Sequence, residues 1–146
     1  MIFNSIAIAS DHRGYLLKTR FVEYFKAHKY EFIDFGTNCD TVSVDYPDYA
    51  QKVAEYVIEH ERSCGVLICY SGVGMSISAN RVPGIRAVLC YSTEVAKLSR
   101  EHNDTNIICF GANFVNEEAA IEMFTLFAHT QFDSRHIHRI RKLDVK

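Results

Sequence analysis

Short apolar runs alternate with amphipathic stretches along the whole chain. Residues 5–10 (SIAIAS), 31–36 (EFIDFG), 64–69 (CGVLIC), 85–90 (IRAVLC) and 106–111 (NIICFG) are rich in Ile, Val, Cys and Phe and end in polar or glycine positions. Each predicts a buried strand. Between them the apolar period changes to that of a helix. Leu17, Phe21, Tyr24, Phe25 and His28 share one face within residues 15–28, and Ala50, Val53, Ala54, Val57 and Ile58 share another after Asp48, a candidate cap. Helices are also predicted over residues 75–80 and 93–102. A longer one follows Asn116, with Ala119, Ala120, Met123, Phe124 and Phe127 inward. The basic end, SRHIHRIRK, is predicted helical as well.

Strands that are apolar on both faces belong to a parallel sheet covered on both sides. The expected fold is therefore α/β, a three-layer α/β/α sandwich around a five-stranded parallel sheet, with right-handed crossovers. No linker, repeat or low-complexity segment divides residues 1–146, so one domain is expected. Such sheets bind ligands at the carboxyl ends of their strands, where the strand order reverses. Two of these ends carry chemistry. The first strand ends in Ser10-Asp11-His12 and the third in Cys69-Tyr70-Ser71-Gly72. They meet if the second strand lies outside the first and the third lies on its other side.

Charge and cysteine content narrow the function classes. The formal net charge is −2, which gives no global field for nucleic acid or an anionic membrane. No apolar run approaches the roughly 20 residues that span a bilayer, and the start lacks a basic leader. The expectation is a cytoplasmic protein with neither nucleic-acid nor membrane partners. The five cysteines are odd in number and have no paired metal-ligand spacing, so reduced thiols and no metal are expected. Cys64, Cys90 and Cys109 read as small core residues.

Gly72-Val73-Gly74 opens a helix, where free N–H groups and the helix dipole favour an anion. Phosphate, carboxylate or an enediolate oxygen would suit it, and so would a plain strand-to-helix turn. Cys69 sits at its mouth, where a helix N-terminus favours a thiolate that can act as nucleophile or base. His12 and His102 fit either a structural or a catalytic role. Arg135 and Arg139 are four apart in RHIHR, so a helix would place them on one face to clamp a phosphate or to face solvent.

Taken together, IAIASDHRGYLLK, VDYPDYA, GVLICYSGVGMSISANRVPGIRAVLC, LSREHNDTNIICFGA and RHIHR resemble the type B ribose-5-phosphate isomerases and the related galactose-6-phosphate isomerase subunits. The matches span residues 6–139 in the family's order and spacing. The resemblance implies a Rossmann-like fold with strand order 2-1-3-5-4; a flavodoxin-like 2-1-3-4-5 is the alternative. It implies an aldose–ketose isomerase without cofactor, interconverting ribose 5-phosphate and ribulose 5-phosphate in the non-oxidative branch of the pentose phosphate pathway. Cys69 takes the role of proton-transferring base and His102 that of the ring-opening acid and base. Ser10, Asp11, His12 and Tyr46 match sugar-site positions, and Tyr70, Ser71, Gly72, Val73 and Gly74 match the loop that holds the enediolate. Asn103, Arg135 and Arg139 match substrate-binding positions, the arginines for phosphate. Homodimers or homotetramers are implied, with His102 and Asn103 entering the partner's site. A branch of the family uses a glutamate where this chain has Met75, which is consistent with the cysteine chemistry. Tyr70 replaces a usual glycine, and Asn113 replaces a frequent phosphate-binding arginine. Alternatives are a hexose 6-phosphate isomerase, acting on galactose or allose 6-phosphate, and a non-catalytic phosphosugar-binding module.

Overall fold

A computed structural model describes residues 1–144. The elements are β1 (Ser5–Ser10), α1 (Tyr15–Ala27), β2 (Phe32–Asp34), α2 (Tyr46–Glu59), β3 (Ser63–Cys69), α3 (Val73–Ala79), β4 (Ala87–Leu89), α4 (Thr93–Asn103), β5 (Ile107–Gly111) and α5 (Glu117–His129). A 3-10 turn (Ser134–His136) and the short α6 (Ile137–Ile140) follow. The five strands are parallel in the order β2-β1-β3-β5-β4, so the flavodoxin-like alternative is excluded.

Strand alternation builds the two outer layers. Ile6 and Ile8 of β1 and Val66 and Ile68 of β3 face a core shared with Phe21 and Phe25 of α1 and Phe124 and Phe127 of α5. Ala7, Ala9, Leu67 and Cys69 face the opposite core, with Ala50, Val53 and Ala54 of α2 and Met75 of α3. The period of two thus puts the Cys69 side chain on the α2/α3 side. The first core is aromatic: the Phe21 ring stacks on Phe110 at 5.5 Å and meets Phe124 edge-on at 5.8 Å. Small alanines let α2 lie close to the sheet on the other side.

Several boundaries differ from the sequence expectation. β2 is an edge strand of three residues, and Ile33 and Asp34 are exposed, so it is not apolar on both faces. β4, the other edge, is also three residues long. Asp48 does not cap α2: the cap position is Asp45, Pro47 stands in the first turn, and Asp48 lies inside the helix. Ile58 is 49% exposed and covers Gly84, where an added Cβ would fall 2.9 Å from its Cδ1. Asn116 caps α5 as its sequence position predicts, accepting the Ala119 N–H at 2.8 Å.

Candidate active site

The carboxyl ends of β1 and β3 meet as the topology requires. Pairing runs from Ser5 with Ser63 to Ser10 with Ile68, and the Asp11 N–H then donates to the Ile68 carbonyl at 3.2 Å. Asp11 therefore sits beside Cys69 at the point where the strand order reverses. Its Oδ1 accepts the N–H groups of Arg13 and Gly14 at 2.9 and 3.0 Å, which folds the β1–α1 loop. Gly14 must approach the sheet closely, since a Cβ there would lie 2.5 Å from the Ile68 carbonyl oxygen. His12 Nδ1 accepts the Val44 N–H at 3.2 Å. That lone pair is thereby used, and the ring proton of a neutral His12 sits on Nε2. Ser10 is fully buried and its hydroxyl has no hydrogen-bond partner, so it lies beneath the crevice rather than lining it.

The β3–α3 loop wraps the cysteine. Gly72 has φ 79°, in the left-handed region, and its N–H donates to Cys69 Sγ at 3.2 Å. The Val73 N–H donates to Ser71 Oγ at 3.3 Å. The Tyr46 ring lies flat against Gly74, where a Cβ would come within 2.7 Å of it. Met75 is fully buried and turned into the α2/α3 core. Tyr70 has no left-handed backbone, so nothing in the loop requires glycine there. Its side chain, 42% exposed, leaves the loop outward. The Arg13 guanidinium lies 4.7 Å from its ring centroid, and Phe114 meets it edge-on at 6.0 Å. The backbone of the β5–α5 loop closes this side: Ala112 N–H donates to the Cys69 carbonyl at 2.9 Å and Asn113 N–H to the Tyr70 carbonyl at 3.1 Å.

His102 and Asn103 are elsewhere. α4 starts from its Ser92 cap, just past the carboxyl end of β4, and runs back toward the amino end of β5. Its 11 residues cover about 16 Å at the usual helical rise. Asp104 ends it in a left-handed conformation, φ 47°. Asp104 is held by Arg86 at 2.9 Å and by the buried Arg100 at 2.8 Å, while Arg86 Nε donates to the Asn103 and Asp104 carbonyls. The 3-10 turn docks on this end through Asp133 N–H to the Glu101 carbonyl at 2.9 Å. His136 then lies 4.7 Å from the His102 ring, and both Arg135 and Arg139 aim N–H groups at its nitrogens, at 3.1 and 2.8 Å. Desolvation, with Arg135, His102 and Arg139 adding to it, holds His136 below the ordinary histidine range.

The candidate residues thus form two clusters at opposite poles of one chain. Asp11, His12, Tyr46, Cys69, residues 70–74 and Asn113 occupy the carboxyl pole. His102, Asn103, Arg135 and Arg139 occupy the amino pole. Sequence reasoning passed over Arg13, Phe114, His136 and the Arg86–Asp104–Arg100 triad. The first histidine of RHIHR, His136, was the one visible signal. The others depend on loops that become neighbours only in the folded sheet.

The thiols separate by environment. Burial pushes Cys64 and Cys109 far up and Cys90 to about 11. The Val42 N–H, with the Thr41 hydroxyl and N–H, lowers Cys39. Iodoacetamide at pH 7.5 is therefore expected to label Cys39 fast and to spare Cys64, Cys90 and Cys109 until the chain unfolds. Peptide mapping of the adducts checks this; early labelling of Cys109 would contradict the packing.

Among the described residues no group of three or more His, Cys, Asp or Glu is placed to hold a metal ion, and no helix is long and apolar enough to cross a membrane. A family model described as Ribose/Galactose Isomerase matches residues 6–143. Ribose-5-phosphate isomerase B of Escherichia coli K12 is 41% identical over 139 residues, covering 94% of this chain and 93% of its own. The crystal structure of a Thermotoga maritima ribose 5-phosphate isomerase superposes with a TM-score of 0.93 at 44% identity, covering 96% and 97% of the two chains. The Mycoplasma genitalium ribose-5-phosphate isomerase B, solved with bound ribulose-5-phosphate, superposes with a TM-score of 0.90 at 36% identity, covering 95% and 93%. With its matched span, its sheet order and its full-length relatives in agreement, the chain belongs to the ribose/galactose isomerase family.

Proposed function

We propose that this chain interconverts ribose 5-phosphate and ribulose 5-phosphate, with Cys69 as the base and with sites shared between two copies. The observation that carries it is Cys69 at the sheet's switch point, beside Asp11 and under the Gly72 N–H. A ribulose-5-phosphate complex of a relative with the same fold supports the substrate.

The thiolate of Cys69 removes the C2 proton of the open-chain aldose. The electron pair moves into the C1–C2 bond and the carbonyl oxygen becomes an enediolate oxygen. The same thiol returns the proton to C1, and a proton passes from the C2 hydroxyl to the C1 oxygen, giving the ketose. The Ser71 and Gly74 N–H groups, unlike those of Gly72 and Val73, are not spent within the loop and are fixed dipoles for the developing oxyanion, aligned before the reaction begins. Asp11 Oδ1 is committed to its loop, which leaves Oδ2 for a sugar hydroxyl. His12 presents Nε2–H, a donor, toward the substrate oxygens. Ring opening needs a group that both gives and takes a proton, and His102 serves from the partner copy. The partner's amino-pole cluster brings Arg135 and Arg139 with it as phosphate ligands.

Complementation tests the sharing. Cys69→Ala and His102→Ala chains are each expected to be weak alone, the second by about 10²-fold. Unfolded and refolded together, they should regain activity through dimers that carry one intact site. If the mixture stays as weak as its parts, the shared site is wrong. Turnover of ribose 5-phosphate by this one chain, faster than that of allose or galactose 6-phosphate, is the expected specificity; the reverse order would move the substrate to the hexose class.

A further inference from the structure

The carboxyl pole is poor in positive charge. Five loops leave the carboxyl ends of the strands, and Arg13 is the single Lys or Arg in any of them. Arg86, Arg100, Arg135 and Arg139 belong to the amino pole. His12 Nδ1 is occupied as the acceptor of the Val44 N–H. Arg13 is exposed, and among the described residues its guanidinium has neither a carboxylate within ion-pair distance nor a hydrogen-bond acceptor. It is nevertheless oriented. Its backbone N–H is tied to Asp11 Oδ1 and its guanidinium lies over the Tyr70 ring, which is backed by Phe114. The three side chains come from the loops after β1, β3 and β5, which are adjacent strands, and form a ladder along the crevice rim.

We propose that Arg13, seated on Tyr70, is a binding residue for the substrate's phosphate from the same copy that supplies Cys69. A guanidinium stacked on a ring keeps its edge N–H groups free, and that edge fits two phosphate oxygens. The ring faces the cation and fixes its direction without neutralising it. A phosphate dianion among loops with a single Lys or Arg gains from this contact. Tyr70 therefore sets how well the charge is presented. This rests on the isomerase reading for the identity of the anion, although the site itself rests on Arg13 and Tyr70 alone.

Titration calorimetry with inorganic phosphate, on the full chain in its native assembly, is the first measurement. Arg13→Met is expected to raise the phosphate Kd about 10-fold, Arg13→Lys less, as befits one charge-assisted contact. The KM for ribose 5-phosphate should rise by a similar factor in Arg13→Met while kcat changes little. Tyr70→Leu should raise KM in the wild-type background and add nothing in the Arg13→Met background, because the two act as one unit. An unchanged phosphate Kd in Arg13→Met overturns the proposal, as does a KM effect of Tyr70→Leu that persists without Arg13. A loss of assembly in Arg13→Met, with phosphate Kd unaltered, would make the ladder a subunit contact instead. If the wild type turns over no ribose 5-phosphate, the isomerase reading fails while the phosphate titration still decides Arg13.

Discussion

Cys69→Ala is expected to lower kcat by about 10³-fold or more, with KM for ribose 5-phosphate within a few-fold of wild type. The reaction turns on a carbon-bound proton, and the side chains around it offer no substitute base. Met75 points into the core. Asp11 is committed to its loop through Oδ1, and His12 holds its ring proton on the nitrogen opposite Val44. Cys64 and Cys109 are sealed inside the sheet. In the proposed mechanism the effect falls on kcat, because Cys69 acts on the transferred proton and contributes little to holding the sugar. Cys69→Ser keeps the shape of the side chain and should be nearly as slow, since a hydroxyl is a far weaker proton acceptor at neutral pH. Stopped-time assays with purified variants read this directly. Turnover of Cys69→Ala within 10-fold of wild type would remove the cysteine from the mechanism.

Gly72→Ala is expected to be the most damaging single-methyl change in the site. Two costs add. The left-handed φ of 79° disfavours alanine by about 1 kcal/mol. The new Cβ would also fall 2.6 Å from Leu89 Cδ1 and 2.9 Å from the Phe110 carbonyl carbon. Leu89 can turn aside, but Phe110 is backbone in the central strand pair, so the loop must move. Overpacking of this kind costs about 2 kcal/mol, which brings the total to about 3 kcal/mol and the expected fall in Tm to about 10 °C. Activity should drop further than stability, by about 10²-fold at 25 °C, because the moved loop carries the N–H that faces Cys69 Sγ. Thermal denaturation and kinetics on one preparation separate the two. A folded variant with normal kcat would show that the loop tolerates the displacement.

The sheet was legible because its central strands bury both faces, and continuous apolar runs such as residues 64–69 carry that signal plainly. The edges were not, because β2 and β4 exchange burial for solvent on one side and stop after three residues. The start of α2 was misplaced by chemistry shared between Asp45 and Asp48; Pro47, a first-turn residue, held the distinguishing signal. Asp11 and Cys69 could be paired from topology alone. The ladder of Arg13, Tyr70 and Phe114 could not, because its members are more than forty residues apart in sequence and meet only through strand order. Tyr70 itself, odd as a replacement for glycine, needs no special backbone and spends its ring on a cation.

The distance between the two poles has a kinetic consequence. Under the proposed roles, a chain whose thiol sits at the carboxyl pole and whose ring-opening histidine sits at the amino pole cannot complete the reaction on its own substrate molecule. Specific activity then becomes a function of protein concentration. Diluted below the dissociation constant of the pair, the enzyme should lose activity as the square of its concentration and regain it on reconcentration, with no change in fold.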